Sequence, residues 1–171
     1  MTDQTKLKTP RRTRPAKMEN YGISTNNDGL MAWEWVDEQM TKARNYWICT
    51  TRPDGRPHAA PVWGVWVDGA LYFGSDRQSI RMQNLTHNPE GVVHLESGDD
   101  TVILEGTIVE VQGVEKTVLT RIADAYGVKY APFRPDFDSD KPGLLLTLKP
   151  RTALTWLERD FPKTATRWHF D

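Results

Sequence analysis

The sequence predicts a mostly β protein: an antiparallel barrel of six or seven strands with peripheral helices. Three observations carry that prediction. Two Asp-Gly turns, Asp54-Gly55 and Asp68-Gly69, separate three apolar runs rich in β-branched and aromatic residues, which is the signature of a meander. The middle run, 58–67, is apolar on both faces, with Ala60, Val62, Gly64 and Trp66 alternating with Ala59, Pro61, Trp63, Val65 and Val67. An antiparallel strand of that kind fits a closed barrel whose outside is also covered, by a helix or by a second subunit. Helical periodicity is confined to three stretches.

The elements follow in order. Trp33, Val36, Met40, Ala43 and Trp47 recur at intervals of three and four, the apolar face of an amphipathic helix. The period then changes to that of a strand over 46–51, and Pro53-Asp54-Gly55 turns the chain into 58–67. Pro61 cannot donate to a ladder and Gly64 marks a close backbone approach or a bulge, so a ligand has access to main chain in mid-strand. After Asp68-Gly69 comes a third strand through Leu71, Tyr72, Phe73 and Gly74. A short helix over 79–87 stops at Asn88-Pro89. Strands are expected at 91–96 and 101–112, and a helix through Val114, Val118, Leu119, Ile122 and Tyr126. Residues 130–142 read as a loop, with strands at 143–148 and 152–158 broken by Pro150.

Composition narrows the function classes. The 171 residues favour one domain with a full core. No run approaches the roughly 18 apolar residues of a membrane span, and the N-terminus lacks the apolar segment of a signal peptide. With Cys49 as the one cysteine, an internal disulfide is excluded and a reducing cytoplasm is expected. Residues 1–17 carry six basic side chains and one acid, so they read as a disordered basic tail ahead of a single domain at 18–171. The net charge of −1 gives no pull toward nucleic acid, and no aromatic residue interleaves with the tail's charges, which argues against nucleic-acid binding as its role. His58, His87, His94 and His169 show no metal-ligand spacing, so no metal is expected. There is no Gly-x-Ser-x-Gly elbow and no Gly-x-Gly-x-x-Gly after a strand, which argues against a hydrolase and a Rossmann fold. Seven Trp and a strand with two apolar faces exceed what a lone barrel of this size needs to bury, so a homodimer is expected.

One stretch carries site chemistry. From Gly74 to Leu85 a strand ends in small residues and a helix opens with Ser75, Arg77, Ser79 and Arg81. Free N–H groups at a helix N-terminus, hydroxyls and guanidinium groups together suit a phosphate. The plainer reading is that Ser79 or Asp76 caps the helix while both arginines point to water.

From Tyr21-Gly22-Ile23 to Arg167-Trp168-His169-Phe170 the chain resembles the flavin- and deazaflavin-dependent oxidoreductases of the pyridoxamine-phosphate-oxidase-like split β-barrel, the FMN-binding split-barrel type. The matching pieces are Asn45-Tyr46-Trp47, Pro53-Asp54-Gly55-Arg56-Pro57-His58, Pro61-Val62-Trp63-Gly64, Asp68-Gly69, Ser79 with Arg81, Asn84 and Leu85, Asn88-Pro89 and the Thr-Arg-Trp ending. It looks most like the branch linked to the deazaflavin coenzyme F-420. The resemblance implies a homodimer with cofactor sites at the subunit interface. It implies Arg81 and Ser79 on the cofactor phosphate with Ser75 and Gly74 beside them, Pro61, Val62 and Trp63 main chain against the ring, Asn84 bracing the helix, and Arg167 and Trp168 reaching the partner's site. Ile80 stands where a second basic residue is common and Gln83 where Arg is common, so Arg52, Arg56 or Arg77 would have to serve a long anionic cofactor tail. Trp66, Tyr126, Tyr130 and Phe133 are the candidates for walling a substrate pocket. The function implied is hydride transfer between F-420 and a small planar or unsaturated substrate, with no catalytic side chain because the cofactor carries the chemistry. FMN in place of F-420 is the alternative. A non-catalytic cofactor carrier or haem-binding barrel, with His58 or His94 on iron, is the alternative of another class.

Overall fold

A computed structural model describes residues 9–15, 19–137 and 143–170. In chain order the elements are β1 (Arg11–Thr13), α1 (Trp33–Lys42), β2 (Asn45–Thr51), β3 (Pro57–Val67), β4 (Ala70–Ser75), α2 (Ile80–His87), β5 (Glu90–His94), β6 (Asp100–Glu110), α3 (Lys116–Lys129), β7 (Leu144–Leu157), α4 (Phe161–Thr164) and β8 (Thr166–His169). Strands β7-β4-β3-β2-β5-β6 close on themselves through the β6–β7 pairing, and β8 and then β1 extend from the far half of β7. The architecture is the split barrel that the sequence predicts.

The meander forms where the turn chemistry places it. Asp68 and Gly69 both take positive φ, 52° and 78°, the geometry a two-residue hairpin requires. Gly55 sits at φ 86° in the β2–β3 turn, closed by the Arg52 amide on the Arg56 carbonyl. Inside the barrel lie Tyr46, Ile48, Leu71, Phe73, Val93, Leu104, Leu146 and Trp168, with Val36 and Met40 of α1 closing one end. A second, outer cluster packs α3 on the sheet through Ile122, Tyr126 and Tyr130 against Val65 and Leu145. Among the described residues no helix is long and apolar enough to cross a membrane.

Three expectations are corrected. The helix of α1 stops at Lys42, where Ala43 turns to φ −57°, ψ 131°, so Trp47 belongs to β2 and not to the helical face. The two strands expected around Pro150 are one 14-residue strand, β7. Pro150 is absorbed by a bulge: Gly106 pairs with Pro150 but Glu105 pairs with Thr152, leaving Arg151 as the extra residue. Gly106 permits this because a Cβ there would stand 2.1 Å from the Lys149 carbonyl oxygen.

The third correction concerns the basic tail. Residues 11–13 form β1, paired with β8 as Arg11 to His169, Arg12 to Trp168 and Thr13 to Arg167. Arg12 donates to the Met31 carbonyl at 2.7 Å. Arg14 donates to four carbonyls, those of Asn26, Asp28, Lys163 and Ala165, at 2.8, 2.6, 2.5 and 3.1 Å. Main-chain pairing and guanidinium bonds order this segment, and neither needs the apolar side chains whose scarcity suggested disorder. Residues 1–8, 16 and 17 lie outside the described residues.

Candidate functional site

The site begins where β3 and β4 part. Residues 57–63 of β3 pair with β2 alone, and residues 64–67 pair with β4. Past Phe73, the partner of Gly64, β4 keeps only its pairing with β7, through Gly74 and Ser75. The β4-side edge of 57–63 therefore carries no strand, and main-chain polar groups there are free to meet a ligand. A phenol occupies the fork. Tyr126 Oη lies 3.3 Å from both the Trp63 and the Tyr72 carbonyl oxygens, at the level where the ladder would otherwise continue.

Next to the fork opens a cleft of about 520 Å³, lined among others by Val62, Trp63, Gly74, Tyr126, Phe133, Phe137 and Leu144. Its walls are largely apolar and aromatic, and its size falls within the range of ligand pockets. Trp63 is 46% exposed and Phe133 49%, large apolar surfaces left open to the cleft. Behind Trp63, Tyr130 stacks at 4.6 Å between centroids with an interplanar angle of 11°. On the outer face of β3, Ala59 and Pro61 are exposed as well, so the double-faced burial expected for this strand is met in the single chain only at Gly64 and Val65.

The second half of the site lies where β4 meets α2. Ser79 caps α2, its hydroxyl accepting from the Met82 amide at 3.2 Å and lying 3.0 Å from Ser75 Oγ. Arg81 is buried, 9% exposed, with Nη1 3.4 Å from Ser75 Oγ and its guanidinium 5.9 Å from the centre of the Phe73 ring. Its Nε has no hydrogen-bond partner among the described residues. Desolvation pulls the Arg81 pKa down. A guanidinium with an orphaned donor is an unfavourable thing to bury unless an anion completes it. The plainer reading of this helix start is met in its cap, Ser79, but not in its arginines, since Arg81 does not point to water. Asn84 Nδ2 donates to Thr50 Oγ1 at 2.9 Å and ties α2 to β2, the bracing role expected of it.

Positive charge continues along the end of the β2–β3 hairpin. The His58 pKa is lowered first by desolvation, then by the charges of Arg52 and Arg81. Arg56 is engaged by Asp54 at 2.8 Å and Arg77 by Glu110 at 2.8 Å. Of the three basic residues considered for an anionic tail, Arg52 is the one that shares its field with Arg81.

Several expected site residues stand elsewhere. Trp168 is a core residue, 1% exposed, its Nε1 on Thr155 Oγ1 at 2.9 Å and its ring edge-on to Trp33. Alternation along β8 turns it inward, so it reaches no partner site. Arg167, half-buried on the same strand, pairs with Leu154 of β7, away from this chain's own cleft, and the site expected for it is the partner's. Trp66 donates to Asp37 at 2.9 Å and lines a separate hollow of about 350 Å³ with Phe170 and Leu104. Tyr130 backs Trp63 and does not line the cleft. Ile80 is the exposed first residue of α2. The sequence reading missed the walls supplied by Pro135, Asp136, Phe137, Gly143, Leu144 and Leu145. The alternation of Phe133, Pro135 and Phe137 in a Pro-rich loop was the available signal. Among the described residues no three His, Cys, Asp or Glu side chains assemble into a metal site.

A family model described as pyridoxamine 5'-phosphate oxidase matches residues 33–157. A conserved hypothetical protein from Mycobacterium tuberculosis has a similar structure, with TM-score 0.65 and 22% identity over 80% of this chain and 91% of that one. An F-420 reductase matches with TM-score 0.52 and 16% identity over 68% of this chain and 94% of that one. A pyridoxamine 5'-phosphate oxidase-related, FMN-binding protein from Nostoc punctiforme matches with TM-score 0.52 and 16% identity over 74% and 80%. No curated protein matches this chain.

Proposed function

Because the chain belongs to the pyridoxamine 5'-phosphate oxidase family, we propose that it is an oxidoreductase that holds the deazaflavin F-420 and serves hydride transfer to or from a small planar substrate. The observation that carries this reading is Arg81: a buried guanidinium with a free Nε, framed by the hydroxyls of Ser75 and Ser79 at the start of α2. That donor set fits a phosphate, which satisfies the orphan and supplies the missing charge.

The residues then have separate tasks. Arg81, Ser75 and Ser79 hold the phosphate. The open main-chain edge of β3 at 61–63 receives the ring. Trp63, Tyr126, Phe133, Phe137 and Leu144 keep water from the cleft and leave an apolar wall for a flat substrate. The bound deazaflavin supplies the carbon that gains or gives up hydride. F-420 is favoured over FMN by Arg52, whose charge acts on His58 together with that of Arg81 and extends the positive potential beyond Arg81, where FMN would have nothing left to bind and the carboxylates of an oligoglutamate tail would. The exposed row Ala59, Pro61 and Trp63 is the surface a second copy covers in the proposed homodimer.

The test is purification from a host that lacks F-420, followed by titration with F-420 and with FMN. Colourless protein that quenches F-420 fluorescence and prefers it to FMN is the expected result. Yellow protein retaining FMN gives the site to FMN, and binding of neither removes the oxidoreductase reading.

A further inference from the structure

α3 grips β3 at the fork with three polar side chains. Tyr126 bridges the Trp63 and Tyr72 carbonyls, as described. Tyr130 Oη accepts from the Gly64 amide at 2.9 Å and has two carbonyls within reach, those of Gly64 at 2.8 Å and Arg44 at 2.5 Å. It owns one proton, so only one of those carbonyls receives it at a time. Lys129 supplies the remaining bonds. Its Nζ donates to the Ala43 carbonyl at 2.9 Å, to Tyr46 Oη at 3.0 Å and to the Gly64 carbonyl at 3.4 Å.

The count of donors matters. Tyr46 commits its own proton to the Met40 carbonyl at 2.5 Å, so all three neighbours of the amine are acceptors. An ammonium has three N–H donors and serves all three; a neutral amine has two and must release one. The Gly64 carbonyl, the longest contact, is the one released. The groups facing the amine are Tyr46 from β2, whose ring centre is 5.2 Å away, and Tyr130, at 5.9 Å. Tyr126, also on α3, packs against the Tyr130 ring at 5.5 Å, and the Arg44 guanidinium lies against the rings of Trp63 and Tyr130 at 6.0 and 5.6 Å. β3 presents main chain. Desolvation alone accounts for the fall of the Lys129 pKa to about 8.

We propose that Lys129 is a positioning residue of the cofactor site: its ammonium fixes the Gly64 carbonyl at the fork, and loss of that charge lets the 61–64 main chain shift and weakens cofactor binding. The inference rests on the reading of β3 as the strand that receives the ring.

The test follows the Gly64 amide by 15N NMR in the full chain from about pH 6.5 to about pH 9.5, alongside F-420 and FMN titrations at each pH. In the wild type the Gly64 signal is expected to titrate with a midpoint near 8, and F-420 affinity to fall about tenfold across it. Lys129→Met should abolish the titration and bind about tenfold more weakly at every pH. Lys129→Arg should keep the affinity seen at neutral pH and remove the fall above it. A wild-type Gly64 signal that does not move, or wild-type affinity in Lys129→Met, overturns the proposal. If Lys129→Met does not fold, the wild-type titration and Lys129→Arg decide. A Gly64 signal that titrates in a chain binding neither F-420 nor FMN supports the clamp and overturns the cofactor reading instead.

Discussion

Arg81 Nη1 stands 3.4 Å from Ser75 Oγ, and this contact joins the end of β4 to the first turn of α2. The two residues come from different elements, yet both face the point where a strand edge runs out and a helix begins. The guanidinium is preorganised there by burial and by the Phe73 ring, with no carboxylate on it among the described residues.

Arg81→Ala is expected to weaken cofactor binding by about ten- to a hundred-fold, the loss of a charge-assisted contact worth about 1.5–3 kcal/mol. Folding should be unchanged or slightly improved, because the substitution removes a buried, incompletely bonded cation. Arg81→Lys should retain much of the affinity. Arg77→Ala is the control, since Glu110 already engages that side chain. Fluorescence titration of F-420 and FMN reads the affinities, and thermal unfolding reads the stability. Equal affinity in wild type and Arg81→Ala would remove the phosphate assignment.

Arg14→Ala should lower stability by about 1.5–3 kcal/mol, because one guanidinium serves four carbonyls of the 26–28 and 163–165 segments. Deleting residues 1–17 should do at least as much harm, since it also removes β1 from β8. Calorimetry should show a fall of roughly 3–10 °C in Tm. An unchanged Tm would mean that the arm is dispensable.

Gly106→Ala should be among the most damaging single-methyl additions in the chain. The new Cβ meets backbone, the Lys149 carbonyl oxygen at 2.1 Å and Pro150 Cα at 2.8 Å, and neither can rotate away. A loss of about 3 kcal/mol or more is expected, read as a lower denaturation midpoint. Gly98→Ala, with open space around it, is the matched control.

The pH dependence of stability has a defined sign. The unfolded chain keeps the Lys129 proton to about its ordinary 10.5, the folded chain only to about 8. Just above the lower value the unfolded state binds more protons, so stability should rise with pH from about 8 to about 9, beyond which the Cys49 thiol, whose pKa desolvation raises, acts in the opposite sense. Higher still it should fall, because Tyr46 and Tyr126, whose pKa values desolvation raises, hold their protons longer when folded. Denaturant unfolding at intervals across the range should show the rise in wild type and not in Lys129→Met. Stability that declines from about pH 8 onward would contradict the assignment.

The meander was legible because its information is local: Asp68-Gly69 and Gly55 specify turns whatever surrounds them. The phosphate end of the site was legible for the same reason, as Ser75, Ser79 and Arg81 lie within seven consecutive positions. Trp168 was misplaced because an aromatic next to an arginine looks alike whether its strand turns it inward or outward, and only the pairing of β8 with β7 decides that. The continuity of β7 was hidden because Pro150 breaks a strand by every local rule, and the bulge that tolerates it depends on Gly106, distant in sequence. Lys129 gave no sign, since its three acceptors, Ala43 and Tyr46 at the junction of α1 and β2 and Gly64 in β3, all lie far from it in sequence.

β7 also sets how the chain reaches this structure. It pairs with β4, β6 and β8, and its contact Tyr72 to Thr147 spans close to half the sequence. The hairpins β2–β3–β4 and β5–β6 can form from neighbouring residues, but nothing joins them into a ring until β7 arrives. Closing so long a loop costs entropy before any contact repays it, which places this domain among slow folders, on a millisecond-to-second scale of roughly the kind seen for barrels. Until that step the edges of β4 and β6 stand open to other chains, so refolding yield should depend on protein concentration even though the finished ring leaves few edges exposed.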